Sequence, residues 1–246
     1  MEGFGFWSLA VAASCFVGLS KGGLPAIGML GVPVLALAIS PGTAAGLLLP
    51  VYVVSDMFGL WAYRRAVDRR VLAILIPATT LGVALGWATA AIVPERAVTG
   101  LVGAIGAAFA LNLIFRGTPK GAARPARVAP GVFWGALSGF TSFVSHGGAP
   151  PYQVYVLPLK LEKMVFAGTS TVLFAYVNAA KLIPYWSLGQ LSPANLSVAA
   201  VLMVPASISV LAGVRLVRVI PGELFFRLVT WALLLISAKL IWDALS

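Results

Sequence analysis

The sequence predicts an all-α polytopic membrane protein made of two repeats of opposite topology, and three observations carry the prediction. Long apolar stretches recur from one end of the chain to the other. A helix-breaking phrase occurs twice, as Lys21-Gly22-Gly23-Leu24-Pro25 and as His146-Gly147-Gly148-Ala149-Pro150, and basic residues collect in the short connections between the stretches. Of 246 residues, 60% are hydrophobic and only 10% charged, and mean hydropathy is +0.99, which leaves no polar sequence for a separate water-soluble domain. Residues 1–246 are therefore read as a single transmembrane domain.

The elements follow from apolar runs at roughly 4–20, 24–39, 42–62, 71–93, 97–115, 131–145, 149–159, 163–186, 195–213 and 223–244. Runs 4–20 and 24–39 flank the first Gly-Gly phrase; runs 131–145 and 149–159 flank the second. Glycine and proline break a helix, and 149–159 is far shorter than the ~20 residues a full crossing needs. Each flanking pair reads as a broken-helix hairpin, re-entrant or fully spanning, and three transmembrane helices follow each one. The total is about eight to ten membrane segments.

Arginine placement orients the chain. Arg64, Arg65, Arg69 and Arg70 form one cluster, Arg116, Lys120, Arg124 and Arg127 a second, and Arg215 with Arg218 a third. Each lies in a short connection, as expected of cytoplasmic loops, which accounts for the formal net charge of +10 without a nucleic-acid partner. Segment 71–93 then runs outward and 97–115 returns, with Pro94-Glu95-Arg96 as an outer turn. Residues 1–115 form a first repeat, 116–130 a cytoplasmic linker and 131–246 a second repeat. Following the turns through puts both termini on the extracytoplasmic side of the plasma (inner) membrane, with the ends of the first hairpin outside and those of the second inside. Cys15 stands alone, so no intrachain disulfide forms, and the first segment lacks the basic start of a cleaved signal peptide.

Further matches support a duplication. Val32-Pro33-Val34 recurs as Leu157-Pro158-Leu159, Gly42-Thr43 as Gly168-Thr169, Ile76-Pro77 as Val204-Pro205 and Val93-Pro94 as Ile220-Pro221, all at offsets of about 125 to 128 residues. Inverted repeats with broken helices near the midplane are an architecture of secondary transporters, because exchanging the conformations of the two repeats exchanges inward and outward access.

The breaks also suggest the chemistry. A helix interrupted at membrane depth frees backbone N–H and C=O groups that lipid cannot satisfy, so the segment lines a cavity or is buried in protein. Half-helix N-termini present free N–H groups and the positive end of the dipole, and glycine lets a ligand approach closely. Gly22, Gly23, Leu24, Gly147, Gly148 and Ala149 are thus candidates for an oxyanion site between the two breaks; the same glycines would also serve close helix packing. Lys21, far from any connection, offers an anion a fixed charge, or snorkels to an interface. His146, the one histidine, offers a titratable charge for proton coupling, or bonds a freed carbonyl. Asp56 and Lys181, inside apolar segments, read as a pair that couples or gates, with Asn178 one turn before Lys181 on the same face. Lys181 is also placed to anchor beside Tyr185 and Trp186, and Asp56 to reach Arg64 or Arg65 through water. Ser20, Ser145, Tyr152 and Gln153 complete the candidate pocket, while Ser142, Thr43, Thr169 and Ser170 surround the motifs as further hydroxyl donors. The tryptophans read as interfacial or packing residues.

The stretch GLSKGGLPAIGMLGVPVLAL in the first half, SGFTSFVSHGGAPPYQVYVLPLKL followed by FAGTSTVLF in the second, and the repeat layout resemble the sulfite exporter TauE/SafE family, also called the toluene sulfonate uptake permease family. The resemblance spans nearly the whole chain. It implies a membrane permease for small sulfur-containing anions such as sulfite, sulfoacetate or related organosulfonates, and leaves open which of them.

A secondary transporter working by alternating access, coupled to protons or the membrane potential, is the leading reading. Without a Walker motif, ATP is not its energy source. A small-anion channel built from the same duplicated hairpins is the alternative. An enzyme is disfavoured, because one histidine, one cysteine and one well-buried aspartate supply neither a metal site nor a triad; no cofactor or metal is expected. A cation transporter is disfavoured by the lysine and histidine at the breaks. Exposed apolar helix faces would permit a homodimer.

Overall fold

The computed structural model describes residues 3–116, 123–189, 191 and 193–245. All elements among them are helical: α1 (Phe4–Lys21), a 3-10 helix (Pro25–Leu30), α2 (Gly31–Ala36), α3 (Pro41–Tyr63), α4 (Arg69–Ala88), α5 (Glu95–Arg116), α6 (Val128–Ser145), α7 (Ala149–Val156), a 3-10 helix (Leu157–Leu159), α8 (Lys163–Ser187), α9 (Pro193–Val219) and α10 (Gly222–Leu245). Among the described residues, eight of these helices are long and apolar enough to cross a bilayer: α1, α3, α4, α5, α6, α8, α9 and α10. The chain is a multi-pass helical membrane protein, as composition predicts. The two short helical stretches, Pro25–Ala36 and Ala149–Leu159, follow the two Gly-Gly phrases. Of the linker, residues 117–122, Lys120 among them, lie outside the described residues.

Local chemistry explains where the helices begin. Ser40 caps α3 by accepting a hydrogen bond from the Thr43 amide at 3.3 Å, with Pro41 in the first turn, and Asp68 caps α4 through the Val71 amide at 2.9 Å. Pro50, Pro77, Pro184 and Pro205 lie inside α3, α4, α8 and α9, a use of proline that membrane helices tolerate when neighbours supply partners for the freed groups. Trp61, Trp87, Trp186, Trp231 and Trp242 are exposed, as are many leucines, valines and phenylalanines, the surface a lipid environment covers. Arg96 donates to the Ala244 carbonyl at 2.7 Å, a contact beyond the outer turn expected for it.

The helices form two compact units. One comprises Met1–Val67 with Ala167–Val219, and the other Asp68–Phe166 with Ile220–Ser246. Each unit draws on both sequence halves. In the first, α1 packs along α9, which also packs on α3; in the second, α6 packs along α4 and α10 along α5. If the repeated prolines relate α4 to α9 and the Gly-Gly phrases relate α1 to α6, then α1 on α9 and α6 on α4 are the same kind of pair. Their contacts are alike too. A methyl group at Gly18 would sit 2.1 Å from the Ala206 carbonyl oxygen, and one at Gly139 would sit 2.2 Å from the Thr79 carbonyl oxygen. In each crossing the backbones touch, which is how membrane helices gain packing energy without a hydrophobic drive.

Candidate functional site

The first break lies in the first unit. Helix α1 ends at Lys21, where the Gly22 amide still reaches back to the Gly18 carbonyl at 2.9 Å. Gly23 then turns with φ of 109°, a conformation that a side chain would strain, and a methyl group there would meet Tyr63 Oη at 2.6 Å and Ala167 Cβ at 2.8 Å. Pro25 opens the following 3-10 helix. Hydroxyl groups from other helices take the carbonyls near the break: Tyr63 Oη donates to Gly22 O at 2.6 Å, Thr171 Oγ1 to Lys21 O at 3.3 Å, and Tyr52 Oη to Gly28 O at 2.6 Å. The interruption is thereby satisfied inside the protein, as lipid requires.

Around this break the unit gathers its buried charges. Lys21, 4% exposed, places Nζ 2.8 Å from Asp56 Oδ1, and Asp56 is itself 1% exposed. Asn178 Nδ2 donates to Asp56 Oδ2 at 2.8 Å, so each carboxylate oxygen has its own partner. The Lys21 ammonium also lies 5.1 Å from the centre of the Tyr52 ring. Lys181, 1% exposed, follows Asn178 by one turn on the same face of α8, near enough for its charge to act on both Asp56 and Lys21. Two placements read from the sequence are thus corrected. Lys181 is a buried residue rather than an interfacial anchor, although its ammonium does lie 6.0 Å from the Tyr185 ring. Asp56 engages Lys21 and Asn178, while Arg64 donates to the Trp61 carbonyl. The reason is depth: Asp56 faces the protein interior two turns before the arginines begin.

The second break lies in the second unit and is sealed differently. Helix α6 ends at Ser145, and His146 adopts the left-handed conformation at φ 54°, which few residues other than glycine take up, though histidine does so more readily than most. The Gly147 amide reaches back to Thr141 O at 3.0 Å; Thr141 Oγ1 donates to Gly147 O at 3.0 Å and Ser138 Oγ to Gly148 O at 2.7 Å. Helix α7 starts at Ala149; Pro150 and Pro151 carry no N–H and the Tyr152 amide bonds Gly148 O at 3.3 Å, so in its first turn only the Ala149 N–H lacks an intrahelical acceptor. One turn in stands Gln153, wholly buried, and among the described residues neither Oε1 nor Nε2 of its amide has a hydrogen-bond partner. A buried amide left in that state is costly, which makes it a place for a polar guest.

Of the residues singled out in the sequence, Lys21, Asp56, Asn178 and Lys181 come together in the first unit, with Gly22, Gly23 and Leu24 beside them. Ser20 is occupied, donating to Val17 O at 2.7 Å. In the second unit His146, Gly147, Gly148, Ala149 and Gln153 form the break. Ser145 donates to Thr141 O at 3.3 Å, and Tyr152 to Phe166 O at 3.5 Å, so neither hydroxyl proton is spare. Thr43 belongs to the exposed cap of α3. Sequence reasoning missed the sealing hydroxyls of Tyr52, Tyr63, Thr171, Ser138 and Thr141. A signal existed, since Tyr52, Asp56 and Tyr63 follow helical spacing on one stripe of α3, and Ser138 and Thr141 are one turn apart on α6.

A family model described as Sulfite exporter TauE/SafE matches residues 10–240, and the chain belongs to that family of membrane transporters. No curated protein and no solved structure matches it.

Proposed function

We propose that the protein is a secondary transporter that moves small sulfur-containing anions, such as sulfite, sulfoacetate or related organosulfonates, across the plasma (inner) membrane by alternating access, driven by protons or the membrane potential. The family membership supports the substrate class. The observation that carries the reading is Lys21: an almost fully buried ammonium at the end of a broken transmembrane helix, ion-paired with the equally buried Asp56. Charges inside a membrane mark substrate and ion pathways by default, because their burial is costly. The second break supports the same reading by a different route, offering the buried, unpartnered Gln153 amide, whose Nε2 is a donor of the kind an oxyanion uses.

Thermal stabilisation of the purified protein by sulfite, sulfate, thiosulfate, sulfoacetate, taurine and carboxylate controls tests the class, since a ligand of the native state raises stability by mass action. Sulfur oxyanions should stabilise and carboxylates should not. In liposomes, labelled substrate should exchange against unlabelled substrate with saturation; a conductance without counterflow would identify a channel and overturn alternating access.

A further inference from the structure

We infer that the segment leading into α6 forms a binding site for the phosphate group of an anionic phospholipid, with Arg124 and Arg127 as its ligands. The site lies in the second unit, is distinct from the polar residues of either break, and stands whichever anion is transported.

Its construction begins with Pro125. Proline disfavours the helical conformation in the residue before it, and residues 123–127 run without regular structure into α6, with Arg127 extended at φ −83° and ψ 139°. The backbone of this run is held at three points. The Arg124 amide donates to Pro158 O at 3.2 Å, Arg70 Nε to Ala126 O at 3.1 Å and Tyr155 Oη to Arg127 O at 3.1 Å. None of these bonds uses the guanidinium group of Arg124 or Arg127, and among the described residues neither group has an ion-pair or hydrogen-bond partner. The two side chains do not fix the segment; the segment fixes them.

Both arginines line a cavity of about 290 Å³ whose other walls include Trp134 of α6, Tyr155 of α7 and Pro158. That volume is near the ~300 Å³ at which small-ligand pockets begin, and among the described residues none of its lining is acidic. Two unanswered guanidinium groups, planar forks matched to phosphate oxygens, call for an anion. Position selects what carries it. Arg127 immediately precedes a helix long and apolar enough to cross a bilayer, so the cavity stands at the membrane edge, at the level of the headgroups. Trp134 and Tyr155 are residue types that favour this level. Beside the cavity on α6, Val132 is 42% and Phe133 61% exposed, an apolar surface for the acyl chains that hang from a headgroup. A soluble anion would use the arginines alone; a phospholipid uses both surfaces. Basic pockets between transmembrane helices hold headgroups in this way.

Phosphatidylglycerol and phosphatidylcholine test this, because both carry the phosphate and only the first has a net negative charge. The full-length protein in neutral detergent should bind one phosphatidylglycerol about tenfold or more tighter than phosphatidylcholine, counted by native mass spectrometry and read as a rise in melting temperature. Arg124→Gln together with Arg127→Gln should remove that preference, whereas Arg64→Gln with Arg65→Gln, in a basic connection that does not line the cavity, should keep it. Melting curves show which variants fold, and each single substitution shows part of the loss if the double variant does not fold. Equal binding of the two lipids by the wild type, an unchanged preference without Arg124 and Arg127, or the same loss from the Arg64 and Arg65 pair would overturn the site. Inorganic phosphate and glycerol phosphate separate the sources of the phosphate group. If either stabilises the wild type as strongly as phosphatidylglycerol at matched concentration, and only with both cavity arginines present, the occupant is a soluble phosphate and the lipid assignment falls.

Discussion

The two Gly-Gly breaks share a sequence phrase and solve the same problem with different parts. At the first, the carbonyls of Lys21 and Gly22 are taken by Thr171 and Tyr63, hydroxyls that arrive from α8 and α3. At the second, the carbonyls of Gly147 and Gly148 are taken by Thr141 and Ser138, both from the helix that has just ended. The first break therefore exists only when its unit is folded, and the second closes on itself. Their polar contents differ in the same sense: the first gathers lysines and a carboxylate from three helices, the second holds a neutral amide on the helix it starts. A duplicated phrase specifies where a chain is interrupted, and its surroundings decide what the interruption does.

The largest effect should separate the charged break from the neutral one. Lys21→Ala leaves Asp56 buried without the cation bonded to it and should destabilise the protein by about 3–5 kcal/mol in detergent unfolding. Gln153→Leu at the second break, which removes an amide lacking partners, should be neutral or stabilising, and a loss of several kcal/mol there would erase the contrast.

Next comes the sealing. Tyr63→Phe and Thr141→Val each orphan a carbonyl and should cost about 1–3 kcal/mol. The first should also loosen the α1–α3 packing, seen as faster amide exchange in both helices, while the second should act on α6 and α7 alone; equal spread of the exchange effect would show that both breaks depend on tertiary contacts.

Backbone conformation gives opposite signs. Gly23→Ala, at φ 109° against Tyr63, should destabilise by about 1 kcal/mol or more, whereas His146→Gly, at φ 54°, should gain up to about 1 kcal/mol by relieving a left-handed non-glycine residue. Melting temperatures moving in the same direction would contradict the backbone account.

The smallest effect concerns protons. His146→Gln should leave stability near wild type and flatten the pH dependence of uptake in liposomes, where protonation of the imidazole adds a positive charge that favours an anion. An unchanged profile would remove His146 from coupling.

Much of this was legible along the chain. Each apolar run became a helix or, after a Gly-Gly phrase, a short helical stretch, because the lipid requirement for internally bonded backbone leaves a 20-residue apolar sequence no other form. The buried polar residues Lys21, Asp56, Asn178 and Lys181 stood out for the same reason, as exceptions in an apolar background. Their partners did not. Asp56 could be matched on paper with Lys181, at the repeat offset of 125, or with the arginines at the end of its own helix, yet its ion pair spans α1 and α3 and its hydrogen bond reaches α8.

The sequence by itself therefore determined an all-helical membrane fold, two interruptions and an inventory of charges that have to be buried, because hydropathy, glycine and proline act locally and uniformly along a chain. Only the tertiary structure decided which helices cross at their small residues, which hydroxyls seal each interruption and which lysine meets the carboxylate. Most of those choices depend on contacts between residues tens of positions apart or more, 35 for Lys21 with Asp56 and 150 for Lys21 with Thr171, and no local preference encodes the distance between them.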